Sequence, residues 1–442
     1  MVLRTSYLVA AAIAATQLST LSAYHVSPDK LTNDKDGLPP TVKDTVNLHI
    51  FREHATGFFS DNLFHRKLRV DPTQLHDVIF VIQQNNIEKL TEILDDISDP
   101  TSTNYGKHMT GAEIADLTGN PVARDEVVSY LLSAGASIVS ETLYGEYITA
   151  SAPVSVWEEV LNTEFFAYSL PSRSDEERNY IRAEKYSVPI FLHPHVESVF
   201  NTIQMPSTQA LSPEEFPPTP SKKFHPQLQI DPTSSSVIKI PSSIITRFMK
   251  PWMLNEEYNI DSNLGHPLAT QAVLGLSQQY FCPQDLNAFQ TAFNLPMQPL
   301  QSSIGGHIAT TKNCSSNQSI CGLSNMNIQY MIAMSRSPTT YYHTDLGLSA
   351  WLLEVSSTSN PPRVISISYL LDESDITVSE FEAFNTQAIK LGLMGVTLLA
   401  AAGDDGANSW RVRTDKTKCG YSPQFPASSP YVVSVGATQV IY

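Results

Sequence analysis

The chain has 442 residues, enough for two domains and a sizeable core, and its 42% hydrophobic and 16% charged residues are typical of a folded globular protein. Its 44 acidic against 28 basic residues give a net charge of −16. Such a surface repels nucleic acid and anionic membranes, so we expect neither as a partner. The excess of acidic residues favours solubility. It is also compatible with a protein that acts at acidic pH, where protonation of carboxylates lowers the net charge.

The first 23 residues have the pattern of a secretory signal peptide. Arg4 precedes an apolar run that starts at Tyr7 and ends in small residues near Ser22 and Ala23. This run is too short to span a bilayer, and no other stretch reaches the ~20 apolar residues that a membrane helix requires. We therefore expect a soluble, non-cytosolic protein.

Residues 45–205 form the first predicted domain. β-Branched and alternating patterns predict strands, and apolar residues at helical spacing predict helices. The strands are expected at 76–83, 137–141, 147–152 and 164–168, and the helices at 86–97, 111–117, 124–134 and 154–161. Because the connecting turns lack the glycines of a nucleotide-binding unit, we predict an α+β sandwich.

Residues 206–243 have the composition of a linker. Eight prolines fall between 206 and 241, with serines and lysines among them. Such a segment packs no core, and exposed linkers are where proteases cut. A boundary of a pro-segment is therefore expected here.

From residue 244 to 442 the pattern becomes α/β. Strands are predicted at 364–369, 396–401 and 431–435, with a helix at 378–391 between the first two. This order implies right-handed crossovers and a parallel sheet. Functional groups of such sheets gather at the carboxyl ends of the strands, which is where Asp404 falls.

Four cysteines permit two disulfides in an oxidising compartment, with three possible pairings. The short intervening loop favours the pair Cys314 and Cys321. The spacing matches no zinc motif, and we expect no metal site. Asn313 and Asn317 begin two glycosylation sequons in one polar loop.

Several separate segments together resemble the sedolisin (serine-carboxyl peptidase) family, and the tripeptidyl peptidases within it. The resemblance runs from about residue 50 to the last residue, in the family's order. Its motifs are SDPTSTNYGKHMT (98–110), ATQA (269–272), QYF (279–281), NIQY (327–330), SY (368–369), GVTLL through GD (395–404), FPASSPYV (425–432) and VGAT (435–438).

The resemblance implies a pro-kumamolisin-type α+β activation domain, followed by a partial α/β subtilisin-like domain with a parallel sheet. It also implies a serine nucleophile, a glutamate base and an orienting aspartate four residues apart on one helical face. A further aspartic acid, kept protonated, donates a hydrogen bond to the oxyanion, which demands acidic conditions. The position of this oxyanion acid matches Asp404.

The acid pair is replaced in this chain. Anchored on Gln329 and Tyr330, the base position is Leu323 and the orienting position is Asn327. Leucine cannot accept a proton at any pH. No Asp or Glu occurs among the 59 residues between Asp285 and Asp345, so no small shift of the alignment restores the pair.

Two further departures concern the nucleophile and the substrate wall. The family's serine motif and its calcium loop lie beyond the strand at 435–438, so we expect the chain to be carboxyl-terminally truncated and to hold no cofactor. At the wall, Ser368 and Tyr369 are followed by Leu370 where family members have glycine. A branched side chain there is expected to crowd the edge along which an extended peptide pairs.

The leading hypothesis is a secreted, lysosomal or vacuolar glycoprotein zymogen homologue, a pseudopeptidase that is catalytically inactive as given. One alternative is a working acid serine-carboxyl peptidase whose sequence is incomplete. Another is an activation-domain-like inhibitor or chaperone of an active relative. The expected partners are accordingly peptides, ancestrally, and an active relative of the family.

Overall fold

The computed structural model describes residues 49–55, 64–169, 179–205, 249–260, 264–276, 279–306, 308–316, 320–344, 347–413 and 415–437. The predicted signal peptide (1–23), the predicted linker (206–243) and Asn317 lie outside the described residues. Within them, every helix is too short or too polar to cross a membrane.

The described residues up to 205 alternate strands and helices. The strands are β1 (His49–His54), β2 (His65–Arg69), β3 (Leu75–Ile82), β4 (Ser137–Glu141), β5 (Tyr147–Pro153), β6 (Phe166–Ser169), β7 (Asn179–Arg182), β8 (Lys185–Pro189) and β9 (Val196–Phe200). The helices are α1 (Ile87–Ser98), α2 (Gly111–Thr118), α3 (Pro121–Ser133) and α4 (Val154–Val160).

Local signals explain where two of these helices begin. Thr110 and Glu113 form a reciprocal capping box at the start of α2, each side chain accepting from the other residue's backbone N–H. The side chain of Asn120 accepts from Ala123 N at the start of α3, whose first residue is proline.

Strands β4, β5, β3 and β9 form an antiparallel sheet in that order. Phe80 in β3 lies opposite Ile148 in β5 and Val199 in β9, and all three are fully buried. Helices α3 and α4 cover this face, with Leu131 and Trp157 in the same core. Strands β2, β6 and β7 form a second antiparallel sheet, and β1 pairs with β8.

The described residues from 249 onward supply the other elements. The strands are β10 (Gln271–Leu276), β11 (Ser302–Ile304), β12 (Thr339–Thr344), β13 (Val364–Ile367), β14 (Leu371–Asp372), β15 (Thr397–Ala401), β16 (Gln424–Phe425) and β17 (Val433–Val435). The helices are α5 (Pro251–Glu257), α6 (Pro283–Ala292), α7 (Thr311–Ser316), α8 (Gly322–Ser335), α9 (Leu348–Ser356) and α10 (Val378–Leu393).

A six-stranded parallel sheet organises this second half. Its order is β11-β12-β10-β13-β15-β17, and each neighbouring pair is parallel. Every residue of β10 is buried, as expected for a strand that helices cover on both faces. Helix α10 connects β13 and β15, and the sheet's carboxyl edge carries the loop that follows β15.

The two halves share one hydrophobic core. Phe64, Tyr168 and Met205 from the first half join the cluster that contains Trp351 and Phe384 from the second. The described part of the chain from His49 onward accordingly forms one compact unit.

The predicted fold class is confirmed: α+β sheets precede a parallel α/β sheet. The predicted strands and helices of the sequence analysis occur with ends that differ by a few residues. Strand β2 was missed because all five of its residues are exposed, so no hydrophobic alternation marks it. The partly exposed β1 was missed for the same reason.

Candidate functional site

Asp404 lies at the carboxyl edge of the parallel sheet. It follows β15 by three residues, and its side chain is exposed. Gly403 before it has φ +114°, and a Cβ atom there would lie 3.1 Å from Cγ of Gln424. Glycine is therefore required for the turn that presents Asp404 to solvent. In the same loop, Asp405 accepts a hydrogen bond from Arg413 Nε at 2.8 Å.

The loop that bears Asp404 is anchored by a buried ion cluster. The Arg411 guanidinium donates to both oxygens of Asp375, at 2.9 and 3.1 Å, and also to Asp372. Asp372 accepts further hydrogen bonds from Ser409 and Gln424. Both aspartates are at most 4% exposed. Sequence reasoning missed this cluster, because the arginine is 36 residues from Asp375 and no motif links them.

Leu323 and Asn327 lie one turn apart on α8, so they share a helical face. Leu323 is half-buried and packs against the main core. Asn327 is also half-buried, and its Nδ2 is buried with no hydrogen-bond partner among the described residues. This face therefore offers an alkyl group and an amide, and neither can take a proton from a nucleophile.

Ser324, next to Leu323, is fully buried. Its hydroxyl lies 3.1 Å from the Tyr341 hydroxyl, which donates to the carbonyl of Gln279 at 3.0 Å. Burial raises the pKa of Tyr341 to about 12, so this neighbour is a neutral phenol at physiological pH. Such a partner is not a base that could activate the serine.

The predicted substrate wall follows β13. Ser368 is half-buried, whereas Tyr369 and Leu370 are 2% and 6% exposed. The Leu370 side chain therefore lies within the fold, and the crowding of a peptide edge stays a prediction.

The structure joins Cys314 to Cys321 in a disulfide, with Cα atoms 5.4 Å apart. Cys282 is a buried free thiol and Cys419 an exposed one. One group with metal-ligand spacing occurs among the described residues: atoms of Cys282, Asp285 and Cys314 lie within 4.8 Å of one another. The sulfur of Cys314 is in the disulfide and is no thiolate. Asn313, the described sequon residue, is exposed on α7.

Helix α10 is held along its length by the first half of the chain. At its start, the Glu53 carboxylate accepts from Ser379 N at 3.1 Å and Ser379 Oγ at 2.6 Å. In its last turn, the Lys390 ammonium donates to Glu146 at 2.6 Å. At its end, Met109 N donates to the carbonyl of Leu393 at 2.8 Å. We call these contacts the α10 clasp.

The SDPTSTNYGKHMT segment supplies the last part of the α10 clasp. Gly395, two residues after α10, has φ +80°, and a Cβ atom there would lie 2.8 Å from Cδ2 of His108. The motif that carried part of the resemblance therefore contacts the second half of the chain, and His108 packs against the backbone at Gly395.

Replacing Gly395 by alanine is expected to destabilise the chain more than the matched change Gly406→Ala. Both glycines have left-handed φ, +80° and +65°, but a Cβ at 406 meets nothing within 4 Å. The left-handed conformation costs ~1–2 kcal/mol in either variant. The clash with His108 adds about 1–2 kcal/mol at 395. Urea unfolding measures the difference, and His108→Ala should remove it. Equal losses at both positions would show that the contact is unimportant.

Comparison with known proteins finds relatives for both halves. Residues 63–205 match the family described as "Pro-kumamolisin, activation domain". The chain is 28% identical to tripeptidyl-peptidase 1 of Pongo abelii over 389 residues, 84% of this chain and 63% of that protein. The Homo sapiens protein is 28% identical over 386 residues, and the Rattus norvegicus protein is 29% identical over 388. The chain spans 62% of the length of each of these two, and 84% of this chain is covered.

Solved structures include a Pseudomonas sedolisin complexed with two molecules of pseudo-iodotyrostatin. It has 17% identity and a TM-score of 0.33, covering 42% of this chain and 52% of that one. The Staphylococcus aureus epidermin leader peptide processing serine protease has 12% identity and a TM-score of 0.36, covering 83% of this chain and 70% of its own.

Proposed function

We propose that the chain is a member of the sedolisin family, related to the tripeptidyl peptidases, and that it is a pseudopeptidase: a zymogen-like homologue that does not cleave peptides. One observation carries the proposal. The helix face at which the family places its base and orienter bears Leu323 and Asn327 here, and between Asp285 and Asp345 the chain has no carboxylate. General-base catalysis typically contributes ~10²–10⁴-fold, and no group on this face supplies it.

The orphaned amide of Asn327 supports the same proposal. A buried polar group without a partner costs stability, and it is expected where a former partner has been replaced. Leu323 at i−4 offers this amide no acceptor. Asp404, to which the resemblance assigns the role of oxyanion acid, is exposed beyond its strand end, and the described face of α8 offers no base to activate a nucleophile beside it.

The α10 clasp favours a pseudopeptidase over a free inhibitor or chaperone. An inhibitory activation domain would need its binding groups available for another protein. Here Glu53, Glu146 and Met109 are engaged by α10 of the same chain. We infer that the activation domain and the peptidase fold stay together as one unit, in the secretory pathway to which the predicted signal peptide directs them.

We expect no hydrolysis of an unblocked tripeptide-linked fluorogenic substrate by the purified chain between pH 3 and 6. The rate should equal that of the Asp404→Asn variant and of buffer alone, because no base is present to activate a nucleophile. Release of the fluorophore measures it. Turnover that depends on Asp404 would contradict the proposal, and would favour the alternative of a working acid peptidase. Turnover that persists in Asp404→Asn would point to a contaminating peptidase, which a second purification step would remove.

A further inference from the structure

Three of the four cysteines meet in one buried cluster. Cys282, Cys314 and Cys321 are 0%, 6% and 2% exposed, and they pack with Ala309. Two of the sulfurs form the disulfide, and the third is a free thiol. The Cys282 sulfur lies within 4.8 Å of the Cys314 sulfur. A buried disulfide with a free thiol at this distance has an exchange partner within the same cluster.

Hydrogen bonds hold the free thiol in place. Cys282 N donates to Asn325 Oδ1 at 2.9 Å, which ties this residue to α8. The thiol donates to Gln284 Oε1 at 3.2 Å and lies 3.6 Å from the Thr311 hydroxyl on α7. The sulfur is therefore fixed between α6, α7 and α8, beside the bond that joins α7 to α8.

We propose that Cys282 is the exchange partner of this disulfide, so that the cluster interconverts between a Cys314–Cys321 and a Cys282–Cys314 pairing. The Cys282 thiolate attacks the Cys314 sulfur, the new sulfur–sulfur bond forms as the old one breaks, and Cys321 leaves as a thiolate. The sulfur of Cys282 is oxidised by one formal unit and that of Cys321 is reduced by one, while the oxidation level of the Cys314 sulfur does not change. The proton lost by Cys282 is regained by Cys321, so no external oxidant or reductant is consumed.

The position of the leaving group favours the step. Cys321 is the N-cap of α8, a helix of 14 residues, and its side chain makes no capping hydrogen bond. The unsatisfied N–H groups at a helix N-terminus stabilise a thiolate, which makes it a better leaving group. Cys282 is likewise the N-cap residue of α6. The exchange moves a thiol from the start of one helix to the start of the other.

Acid slows the proposed exchange. Burial raises the pKa of the Cys282 thiol, the hydrogen bond with Thr311 lowers it in part, and the negative charge of the nearby Asp285 carboxylate raises it further, so only a small fraction is thiolate at neutral pH. Below its pKa this fraction falls about tenfold per pH unit, and the rate falls with it. A chain kept at pH 5 would retain the disulfide pairing that it had at the start, whereas at pH 8 the two pairings would equilibrate.

The consequence lies in helix α8. In the Cys314–Cys321 form, the start of α8 is tied to α7. In the Cys282–Cys314 form, α7 is tied instead to α6, and α8 begins with a free thiol two residues before Leu323. The inference does not depend on the proposed lack of peptidase activity, since it uses only the three sulfurs and the helices that hold them.

Disulfide mapping of the full chain tests the proposal. A Cys419→Ser background removes the exposed thiol, and protein purified at pH 5 is incubated at pH 5 or 8. Samples are quenched in acid, trapped with N-ethylmaleimide in denaturant, digested without reduction and analysed by mass spectrometry. We expect a Cys282–Cys314 linked peptide that accumulates on the order of 10³-fold faster at pH 8 than at pH 5. Its absence after prolonged incubation at pH 8 would overturn the proposal.

Two variants give an independent measurement. Cys321→Ser, prepared in a glutathione redox buffer that supplies the oxidant, should place most of its Cys282 in the linked peptide with Cys314. Cys282→Ser should retain only the Cys314–Cys321 bond at both pH values. Free Cys282 in a folded Cys321→Ser variant, with folding checked by circular dichroism, would also overturn the proposal. If that variant does not fold, the incubation of the parent chain decides.

Discussion

Replacing Lys390 by methionine is expected to lower the free energy of unfolding by about 3–5 kcal/mol. The ammonium and the Glu146 carboxylate are 5% and 7% exposed and lie 2.6 Å apart. Removing the cation leaves a buried carboxylate that keeps one hydrogen bond, from Thr142 Oγ1 at 3.0 Å. Desolvation of an unpaired charge is what makes the loss large. Urea unfolding monitored by circular dichroism measures it.

Two controls separate burial from charge. Lys390→Met combined with Glu146→Gln should recover much of the loss, because no unpaired charge remains. Glu184→Gln breaks the exposed ion pair with Arg66, whose side chains are 54% and 47% exposed, and should cost less than about 1 kcal/mol. A loss of that small size for Lys390→Met would contradict the burial of the pair in solution.

Acidification from pH 8 to pH 5 is expected to stabilise the chain through Glu197 and Glu380, which flank the α10 clasp. Burial raises the pKa of each carboxyl to about 7, from an ordinary value of 4.5. The negative charge of Glu382 raises the pKa of Glu197 further, and the negative charge of Glu53 raises the pKa of Glu380 further. A raised folded-state pKa gives stability that is fully present below pH 4.5 and is lost as the pH rises through 7. The first half of the chain should therefore be held more firmly against α10 in mild acid.

The variant Glu197→Gln with Glu380→Gln isolates this contribution. A full pKa shift of this size corresponds to ~3 kcal/mol of stability for each carboxyl group. Both side chains are half-buried and keep some solvent access, which reduces this contribution. We therefore expect the free energy of unfolding of the parent to rise by about 2–3 kcal/mol more than that of the variant between pH 8 and pH 5. His76 opposes the gain, because burial lowers its pKa to about 4 and stability is lost as the pH falls below 6.5. His76 is present in both proteins and cancels from the difference. Parallel stability curves from urea unfolding at pH 8, 6.5 and 5 would refute the expectation.

The sequence predicted those elements whose signal is local. Strand β3 is a run of β-branched and aromatic residues that is buried from Val78 to Ile82, and α10 begins with a capping box formed by Thr377 and Glu380. Each pattern lies within a few residues and depends on the period of the backbone. Leu323 and Asn327 were predicted to occupy the base and orienter positions because Gln329 and Tyr330 anchor the alignment on α8, and this assignment stays a prediction.

The contacts between distant segments could not be predicted in this way. Neither Lys390 nor Glu146 stands in a pattern that marks it as buried, since each is paired only across the fold. The ion cluster of Arg411 with Asp372 and Asp375 has the same property. Cys282 was left out of the predicted pairing because the short loop favoured a bond between Cys314 and Cys321. The proximity of the Cys282 sulfur to Cys314 comes instead from the packing of α6 against α8.

The α10 clasp also sets the order in which the chain can fold. Its contacts join residues that are far apart in sequence, with separations of 326 for Glu53 and Ser379 and 244 for Glu146 and Lys390. Closing such long loops is slow, and a ribosome adds residues in order from the amino terminus. The strands of the first half pair within their own region, so they can assemble while α10 is still being synthesised. Helix α10 then meets a surface that is already formed, and the first half serves as its template.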